Sequence, residues 1–255
     1  MKVWMQNTLS PFFEYIGGIS LLSWRTLLKI LRARVALSDL VYQISAIGNQ
    51  SFSLVSLVAM FTGMVMALQL AVGLGRFGLK LYIGQVIGLT IVRELGPVLT
   101  CLMLSARAGS GMTAELGSMV VTEQVLAIEA MGANPIVKLV VPRVLACVIA
   151  APLLAIMANF IGIFGGMLIT VMEAGVTPRF YMDQILKTLI MEDLVQGVGK
   201  TFFFGFFIGV ISCYQGLQTT GGTEGVGRAT TRAVVYSSIM IFVLDFFLTK
   251  LFLLL

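Results

Sequence analysis

Five long apolar runs constrain this chain more than any other feature of its sequence. A helix needs about 20 consecutive apolar residues to cross the ~30 Å hydrocarbon core of a bilayer. The runs that reach this length are residues 51–74, 81–104, 144–172, 194–217 and 233–255. Only 11% of the chain is charged, against about 25% in a soluble domain. The sequence therefore predicts an all-α integral membrane protein with five transmembrane helices.

Basic residues in the loops predict the orientation of these helices. Loops on the cytoplasmic side of a membrane protein carry an excess of Lys and Arg. The excess here falls on the side of the N-terminus, in segments that hold Arg25, Arg107, Arg143 and Arg228. We therefore expect a cytoplasmic N-terminus and, because the number of spans is odd, a C-terminus on the outer side.

A basic and apolar segment precedes the first span. Within residues 12–35, Arg25, Lys29 and Arg32 fall on one helical stripe, while Trp24 and other apolar side chains lie mostly across from it. This pattern is typical of an amphipathic helix that lies in the plane of the lipid headgroups. The alternative is a short sixth span, which the basic residues disfavour because charge inside hydrocarbon is costly.

The longest polar loop, residues 105–143, lies on the predicted cytoplasmic side. Thr122 is a suitable N-cap, Glu123 suits the positive end of a helix, and Gly132 can end one. We therefore expect a short helix near residues 123–131. It is either a docking helix for a cytoplasmic partner or a plain connector, and the residues alone favour neither.

Small residues recur every four positions along the fourth span, at Gly197, Thr201, Gly205 and Gly209. Such a stripe lets the backbones of two helices approach closely. We expect tight packing along it; a seam that moves during function is the alternative.

Four ionisable residues interrupt the apolar runs: Arg93 and Glu94 in the second, Lys200 in the fourth and Asp245 in the fifth. Each costs at least ~2.5–3.5 kcal/mol at the bilayer centre unless it is paired or faces a wet cavity. Pro97 disturbs the helix one turn after Arg93. We expect these charges to pair with one another, either as a structural ion-pair network or as a network that also lines a substrate path.

The motifs that resemble nucleotide-binding sites fail on their context. The glycines of residues 73–78 fit a dinucleotide pattern, but they follow a membrane span instead of a strand. Lys200 and Thr201 resemble the end of a phosphate-binding loop, yet Leu194 occupies the place of its first glycine. The sequence has no histidine, the commonest general base and metal ligand. We predict no catalytic residue, no metal site and no cofactor bound by this chain.

Several separated motifs occur in an order that resembles one family. They are Arg93–Pro97 (RELGP), Ser105–Ser110 (SARAGS), Thr113–Gly117 (TAELG), Thr122–Gln124 (TEQ), Ala130–Pro135 (AMGANP), Pro142–Arg143 and Gly225–Val235 (GVGRATTRAVV). Over residues 50–250 the chain is similar to the MlaE family of ATP-binding cassette (ABC) transporter permeases, to which chloroplast lipid-import and Mce-system permeases are related. On this resemblance, residues 1–45 form an interfacial-helix region and residues 46–255 the permease domain.

The resemblance implies a homodimer in the bacterial inner membrane that is not itself an enzyme. A cytoplasmic ABC ATPase dimer, which binds ATP and Mg, would dock on a coupling helix at about residues 118–134. A periplasmic hexamer of MCE-domain proteins and an optional STAS-domain subunit complete the complex. Such a complex moves phospholipids between the inner and outer membranes of a diderm cell and maintains outer-membrane lipid asymmetry.

The resemblance also implies roles for individual side chains. The charged residues expected near the lipid cavity are Arg93, Glu94, Lys200, Arg232 and Asp245. The candidates for acyl-chain contact are Leu70, Leu74, Phe77, Leu95 and Leu99. The acidic residues expected to couple to the ATPase are Glu115, Glu123 and Glu129.

Three other functions remain open for a polytopic membrane protein. An ion-coupled secondary transporter usually contains an internal repeat, and five spans do not divide into matching halves. An intramembrane enzyme that acts on lipid needs a set of catalytic groups that the sequence does not show. A passive membrane scaffold for MCE-domain proteins would keep the same helices, and its function would survive removal of the intramembrane charges.

Overall fold

Five helices of the chain are long and apolar enough to cross a membrane. The computed structural model describes residues 2–32 and 37–254. The helices in chain order are α1 (Lys2–Arg32), α2 (Leu37–Gly75), α3 (Lys80–Val121), α4 (Gln124–Ala130), α5 (Ile136–Ala174), α6 (Pro178–Thr188), α7 (Met191–Leu217) and α8 (Gly222–Leu254). The candidate spans are α2, α3, α5, α7 and α8. The predicted helical membrane class and its five spans are confirmed.

Every spanning helix begins earlier than its apolar run. The largest differences are in α2, which begins at Leu37 instead of 51, and in α8, which begins at Gly222 instead of 233. Polar residues can continue a helix beyond the hydrocarbon, so hydropathy alone places the start too late. Residue 255, the predicted end of the last span, lies outside the described residues.

The second spanning helix, α3, is irregular. It opens with a 3-10 turn at Lys80–Tyr82 and contains two π-helical segments, Ile91–Leu95 and Ser105–Gly109. At the end of the first segment the backbone N–H of Gly96 donates to the carbonyl oxygen of Ile91, five residues back. π segments are rare and frequently occur at functional sites. Both of them fall on sequence motifs that carry the family resemblance.

Glycines set the spacing between the spanning helices. A Cβ atom at Gly205 of α7 would lie 2.6 Å from the carbonyl oxygen of Cys147 in α5. A Cβ atom at Gly63 of α2 would collide with the carbonyl oxygen of Gly162, also in α5. The small-residue stripe of α7 is therefore a close-packing surface, as predicted, and α5 lies at the centre of the bundle between α2 and α7.

Two spanning helices expose most of their apolar surface. In the most apolar stretch of each helix, the buried share is 22% in α2 and 11% in α8, whereas it is 50–56% in α3, α5 and α7. The chain by itself therefore presents two broad apolar faces, on α2 and α8, to lipid or to another membrane protein.

α1 packs across the ends of α5 and α7. Ile19 is buried in an apolar cluster with Val140 of α5 and Ile211 of α7. Nearby, the side chain of Gln215 donates from Nε2 to the hydroxyl of Tyr15 at 2.9 Å. α1 is not among the helices that qualify as spans, so the sixth-span alternative is not supported. These contacts agree with a helix lying along one side of the membrane.

The extent of α1 differs from the prediction. The helix begins at Lys2 instead of residue 12, and residues 33–35 of the predicted segment lie outside the described residues. Arg25 and Lys29 are both exposed, as a basic stripe facing the headgroups requires. Trp24 is also exposed and belongs to the apolar face.

The predicted cytoplasmic helix exists, but its start differs from the expectation. α4 covers Gln124–Ala130 and ends ahead of Gly132, which has a φ of 77°. Thr122 does not cap it, because Thr122 Oγ1 donates to the carbonyl oxygen of Ser118 at 2.9 Å in the last turn of α3. Glu123, with a φ of 58°, occupies the N-cap position. The prediction of Thr122 as the N-cap is therefore wrong: its hydroxyl is used by the preceding helix.

Candidate functional site

A buried ammonium group joins three spanning helices. Lys200 of α7 is 2% exposed, and its Nζ lies 2.8 Å from Glu94 Oε2 of α3 and 3.0 Å from Asp245 Oδ1 of α8. It also donates to Thr249 Oγ1 of α8 at 2.6 Å. We call these four residues the Lys200 cluster. The predicted pairing of Glu94, Lys200 and Asp245 is present in the structure.

The backbone of α3 supplies a further acceptor for Lys200. Pro97 has no N–H, so it cannot donate to the carbonyl oxygen of Arg93, four residues earlier. Lys200 Nζ lies 3.2 Å from that oxygen and donates to it. Arg93 lies within the π segment Ile91–Leu95, which ends two residues before Pro97. The buried ammonium therefore provides the hydrogen-bond donor that this carbonyl oxygen lacks, and the oxygen provides an acceptor for the ammonium.

The Lys200 cluster holds more negative than positive charge, and its two carboxylates lie nearer the surface than its ammonium. One ammonium faces two carboxylates, and Thr249 Oγ1 also lies 3.4 Å from Glu94 Oε1. The side chain of Glu94 is 38% exposed and that of Asp245 is 20% exposed, although Lys200 is enclosed. An acidic edge thus opens from the interior toward the exposed surface. Such an edge can hold helices together and can also accept hydrogen bonds from a polar headgroup.

Arg93 belongs to a separate ion pair that the sequence did not reveal. Its guanidinium pairs with Asp193 in the first turn of α7, with Nε 2.6 Å from Oδ1. The side chain of Asp193 is 1% exposed, and its Oδ2 accepts from the backbone N–H of Ile190 at 3.0 Å. Asp193 therefore caps α7 and anchors α3 at once. The expectation that the four predicted charges pair only among themselves is wrong for Arg93.

Two of the predicted acyl-chain contacts line a common groove. Leu95 and Leu99 of α3 face an apolar groove that α2 and α5 close, next to Thr62 and Gly162. Thr100 Oγ1, in the same wall, is buried without a hydrogen-bond partner. Because Glu94 directly precedes Leu95, a charged side chain stands beside an apolar one at this position of α3.

The other three predicted acyl-chain contacts lie elsewhere. Leu70 and Leu74 pack at the far end of α2, in an apolar cluster with Tyr181 of α6. Phe77 is 78% exposed in the turn after α2. The structure therefore does not bring the five candidates together in a single chain.

Arg232 is remote from the Lys200 cluster. It lies thirteen positions before Asp245 on α8, which is about 20 Å along a helix. There it lines a polar pocket with Gln215, Thr219 and Arg228. The grouping of Arg232 with the other four charged residues is not what the structure shows, because the length of α8 separates them.

The three acidic residues predicted to couple to an ATPase occupy different positions. Glu115 pairs with the buried Arg143 at 2.8 Å and so holds α3 to α5. Glu123 is exposed at the turn before α4. Glu129 borders a surface groove that continues over Asn134 and beside α7. Of these three residues, only Glu123 and Glu129 lie exposed in the segment between α3 and α5.

The fold and its buried ion pairs define a polytopic membrane protein with charged groups paired between its spans. A sequence model of the family described as Permease MlaE matches residues 40–251. The chain therefore belongs to the MlaE permease family.

Known relatives match nearly the whole chain. A probable ABC transporter permease protein of Rickettsia felis is 39% identical over 94% of this chain and 93% of its own length. The intermembrane phospholipid transport system permease protein MlaE of Haemophilus influenzae is 36% identical over 93% and 92%. The chloroplastic protein TRIGALACTOSYLDIACYLGLYCEROL 1 of Arabidopsis thaliana is 36% identical over 92% of this chain and 67% of its own.

Proposed function

We propose that this chain is the permease subunit of an ATP-driven ABC transporter that moves phospholipids between the inner and outer membranes and so maintains outer-membrane lipid asymmetry. The observation that carries the proposal is that Glu94 of the Lys200 cluster directly precedes Leu95, which lines an apolar groove together with Leu99. A site with an acidic edge and apolar walls suits an amphiphile. The phospholipid transport function of the Haemophilus relative supports the same substrate class.

The proposed working unit is a homodimer. The apolar faces of α2 and α8 are largely uncovered in one chain, so they are available to a second copy as well as to lipid. Pairing of two chains would cover part of these faces and would enclose a lipid chamber between them. Glu94 and Asp245, the partly exposed carboxylates of the Lys200 cluster, would then occur twice at its wall.

Energy is proposed to arrive from a cytoplasmic ATPase dimer, which would hold the ATP and Mg. α4 has no buried residue, and the groove at Glu129 lies between it and the start of α5. An exposed helix beside a groove offers a docking surface for such a partner. An MCE-domain hexamer on the periplasmic side and a STAS-domain subunit are the further partners of the proposal, which places the N-terminus in the cytoplasm and the C-terminus in the periplasm.

A transport cycle follows from this arrangement. ATP binding would draw the two α4 helices together and tilt the attached end of α3. Inside α3, the π segments Ile91–Leu95 and Ser105–Gly109 depart from α-helical bonding, so a tilt of the attached end would concentrate there. Narrowing of the chamber would expel the lipid, whose acyl chains gain about 0.8 kcal/mol per methylene from staying out of water.

The proposal is tested by lipid transfer in proteoliposomes that contain the permease, its ATPase and its MCE-domain partner. Glu94→Gln should lower ATP-dependent transfer of a fluorescent phospholipid about tenfold, because a charge-assisted hydrogen bond is lost. Asp183→Asn, which alters an exposed ion pair of α6, is the matched control and should leave transfer unchanged. Equal transfer with and without ATP would contradict an ATP-driven transporter, and normal transfer by Glu94→Gln would favour a passive scaffold.

A further inference from the structure

A second groove lies on the opposite flank of the bundle, away from Leu95 and Leu99. α1, α7 and α8 enclose it, and its walls are almost entirely apolar. The side chains that form its body are Trp24, Leu27, Phe206, Phe207, Ile239 and Val243. At one end it meets the polar pocket of Gln215 and Arg228, and Arg232 lines both cavities.

The length of this groove matches one leaflet of a bilayer. From Arg232 to Val243 the groove follows eleven positions of α8, or about 16 Å, close to the ~15 Å depth of the hydrocarbon in one leaflet. Arg232 directly precedes the apolar run 233–255 of α8, and Val243 lies near the middle of that run. The groove therefore runs from the headgroup level to mid-depth.

The polar end of the groove is rich in unused hydrogen-bond donors. Among the described residues Arg232 forms no ion pair, while Arg228 is partnered by the exposed Glu224 at 3.4 Å. Tyr15 lines the groove and accepts from Gln215, so its own proton is free to donate. Burial raises the pKa of Tyr15 to about 12, and the phenol therefore keeps that proton at neutral pH.

The wall of the groove contains one further polar atom without a partner. Ser23 Oγ is buried without a hydrogen-bond partner. Buried polar atoms in folded proteins are usually paired. Ser23 lies eight positions from Tyr15, about 12 Å along α1, so its missing partner would be a separate polar atom of a ligand in the groove and not the group at Arg232 and Tyr15.

We propose that this groove holds one anionic phospholipid of the cytoplasmic leaflet as a resident ligand, distinct from the transported lipid. Its phosphate lies at Arg232 and Tyr15, and one acyl chain lies along Phe207 and Val243. A phospholipid matches both parts of the groove, since it carries a negative headgroup and an apolar chain of one-leaflet length. The bound lipid would fasten α1 to the exposed face of α8. This inference requires that the chain sits in a membrane, and its assignment to the cytoplasmic leaflet rests on the orientation proposed above; it stands apart from the transport function.

Trp24 provides a direct probe of the groove. The chain has two tryptophans, so Trp4→Phe leaves Trp24 as the single reporter. The full-length protein is placed in phosphatidylcholine nanodiscs that contain increasing fractions of acyl-brominated phosphatidylglycerol or acyl-brominated phosphatidylcholine. Bromine quenches tryptophan on contact. Half-maximal quenching by the anionic lipid should need about a fivefold lower mole fraction, the preference that one basic residue confers.

Two pairs of variants assign the effect to the groove. Arg232→Gln should abolish the preference for the anionic lipid, whereas Arg179→Gln, an exposed arginine of α6, should retain it. Ser20→Phe, which fills the groove, should weaken quenching by both lipids, whereas Ser53→Phe on the exposed surface of α2 should not.

Three outcomes would overturn the proposal. Equal quenching by both brominated lipids means ordinary surrounding lipid and no site. Quenching by neither means that protein, such as a second copy of the chain, fills the groove. A preference that survives Arg232→Gln removes Arg232 from headgroup recognition.

Discussion

Lys200 donates a hydrogen bond to the carbonyl oxygen of Arg93 at 3.2 Å, and this oxygen is the one that Pro97 leaves without an α-helical donor. The proline and the buried lysine therefore form a single arrangement. The break in α3 frees an acceptor, the ammonium occupies it, and Glu94 and Asp245 neutralise the ammonium. A charge that would be costly alone becomes part of the contact among three spanning helices.

Removal of the ammonium should destabilise the fold strongly. Lys200→Met leaves Glu94 and Asp245 without their shared partner, and loss of one member of a buried ionic group costs about 3–5 kcal/mol. Thermal unfolding of the detergent-solubilised protein measures the effect. The control is Lys187→Met, an exposed partner of Asp183, for which a change within about 1 kcal/mol is expected.

A second variant separates lost pairing from lost packing. Lys200→Met combined with Glu94→Gln and Asp245→Asn removes the unpaired charges and should recover most of the stability. If the single variant is as stable as the Lys187→Met control, the Lys200 cluster does not hold the helices together.

The sequence alone was sufficient for the spans and for most of the buried charges. The length of the apolar runs predicts the spans. Because charge is costly in hydrocarbon, Glu94, Lys200 and Asp245 are expected to be paired or functional. Asp193 escaped notice because an acidic residue in the first turn of a helix is ordinary. Its partner Arg93 is 100 residues away in the chain, so only the tertiary structure shows that the carboxylate is buried and paired.

The position of the leucines shows a second limit of the sequence. Spacing places Leu95 and Leu99 on one face of α3, and they do share a groove. No spacing rule predicts that α6 folds back and covers the region of Leu70 with Tyr181. α6 has only eleven residues, five of them apolar. Its docking depends on the contact of Tyr181 with Gly84 at the start of α3, which the sequence pattern does not show.

A double-mutant cycle should detect the Arg93–Asp193 pair. Arg93→Met and Asp193→Asn are expected to show a coupling free energy of about 1 kcal/mol, because the two side chains are in direct contact. The same cycle with Arg93→Met and Asp245→Asn should be additive within ~0.5 kcal/mol, because Lys200 bonds only the backbone oxygen of Arg93 and the two side chains have no common partner. Unfolding of all single and double variants provides the measurement. Coupling to Asp245 that equals coupling to Asp193 would contradict two separate charge groups.

Packing between α7 and α5 should be sensitive to a single methyl group. Gly205→Ala places a Cβ atom 2.6 Å from the carbonyl oxygen of Cys147, and overpacking of this kind costs about 1–3 kcal/mol. Gly199→Ala on the same helix is the matched control, since its Cβ atom would meet only the ring of Phe252 at 3.9 Å. Equal melting temperatures of the two variants would show that α7 can move away from α5 at no cost.

Charge reversal at the groove beside α4 should uncouple the permease from its proposed ATPase without unfolding it. Glu129 is exposed and borders the groove over Asn134, so Glu129→Lys should change stability by no more than about 0.5 kcal/mol. A like-charge or unpaired contact at an interface weakens binding by at least about tenfold, and the amount of ATPase that co-purifies with the permease reports this loss. Glu173→Lys, an exposed acidic residue at the opposite end of α5, should leave co-purification intact. If the full amount of ATPase co-purifies with Glu129→Lys, this groove is not part of the docking surface, and the interpretation of α4 as a plain connector is favoured.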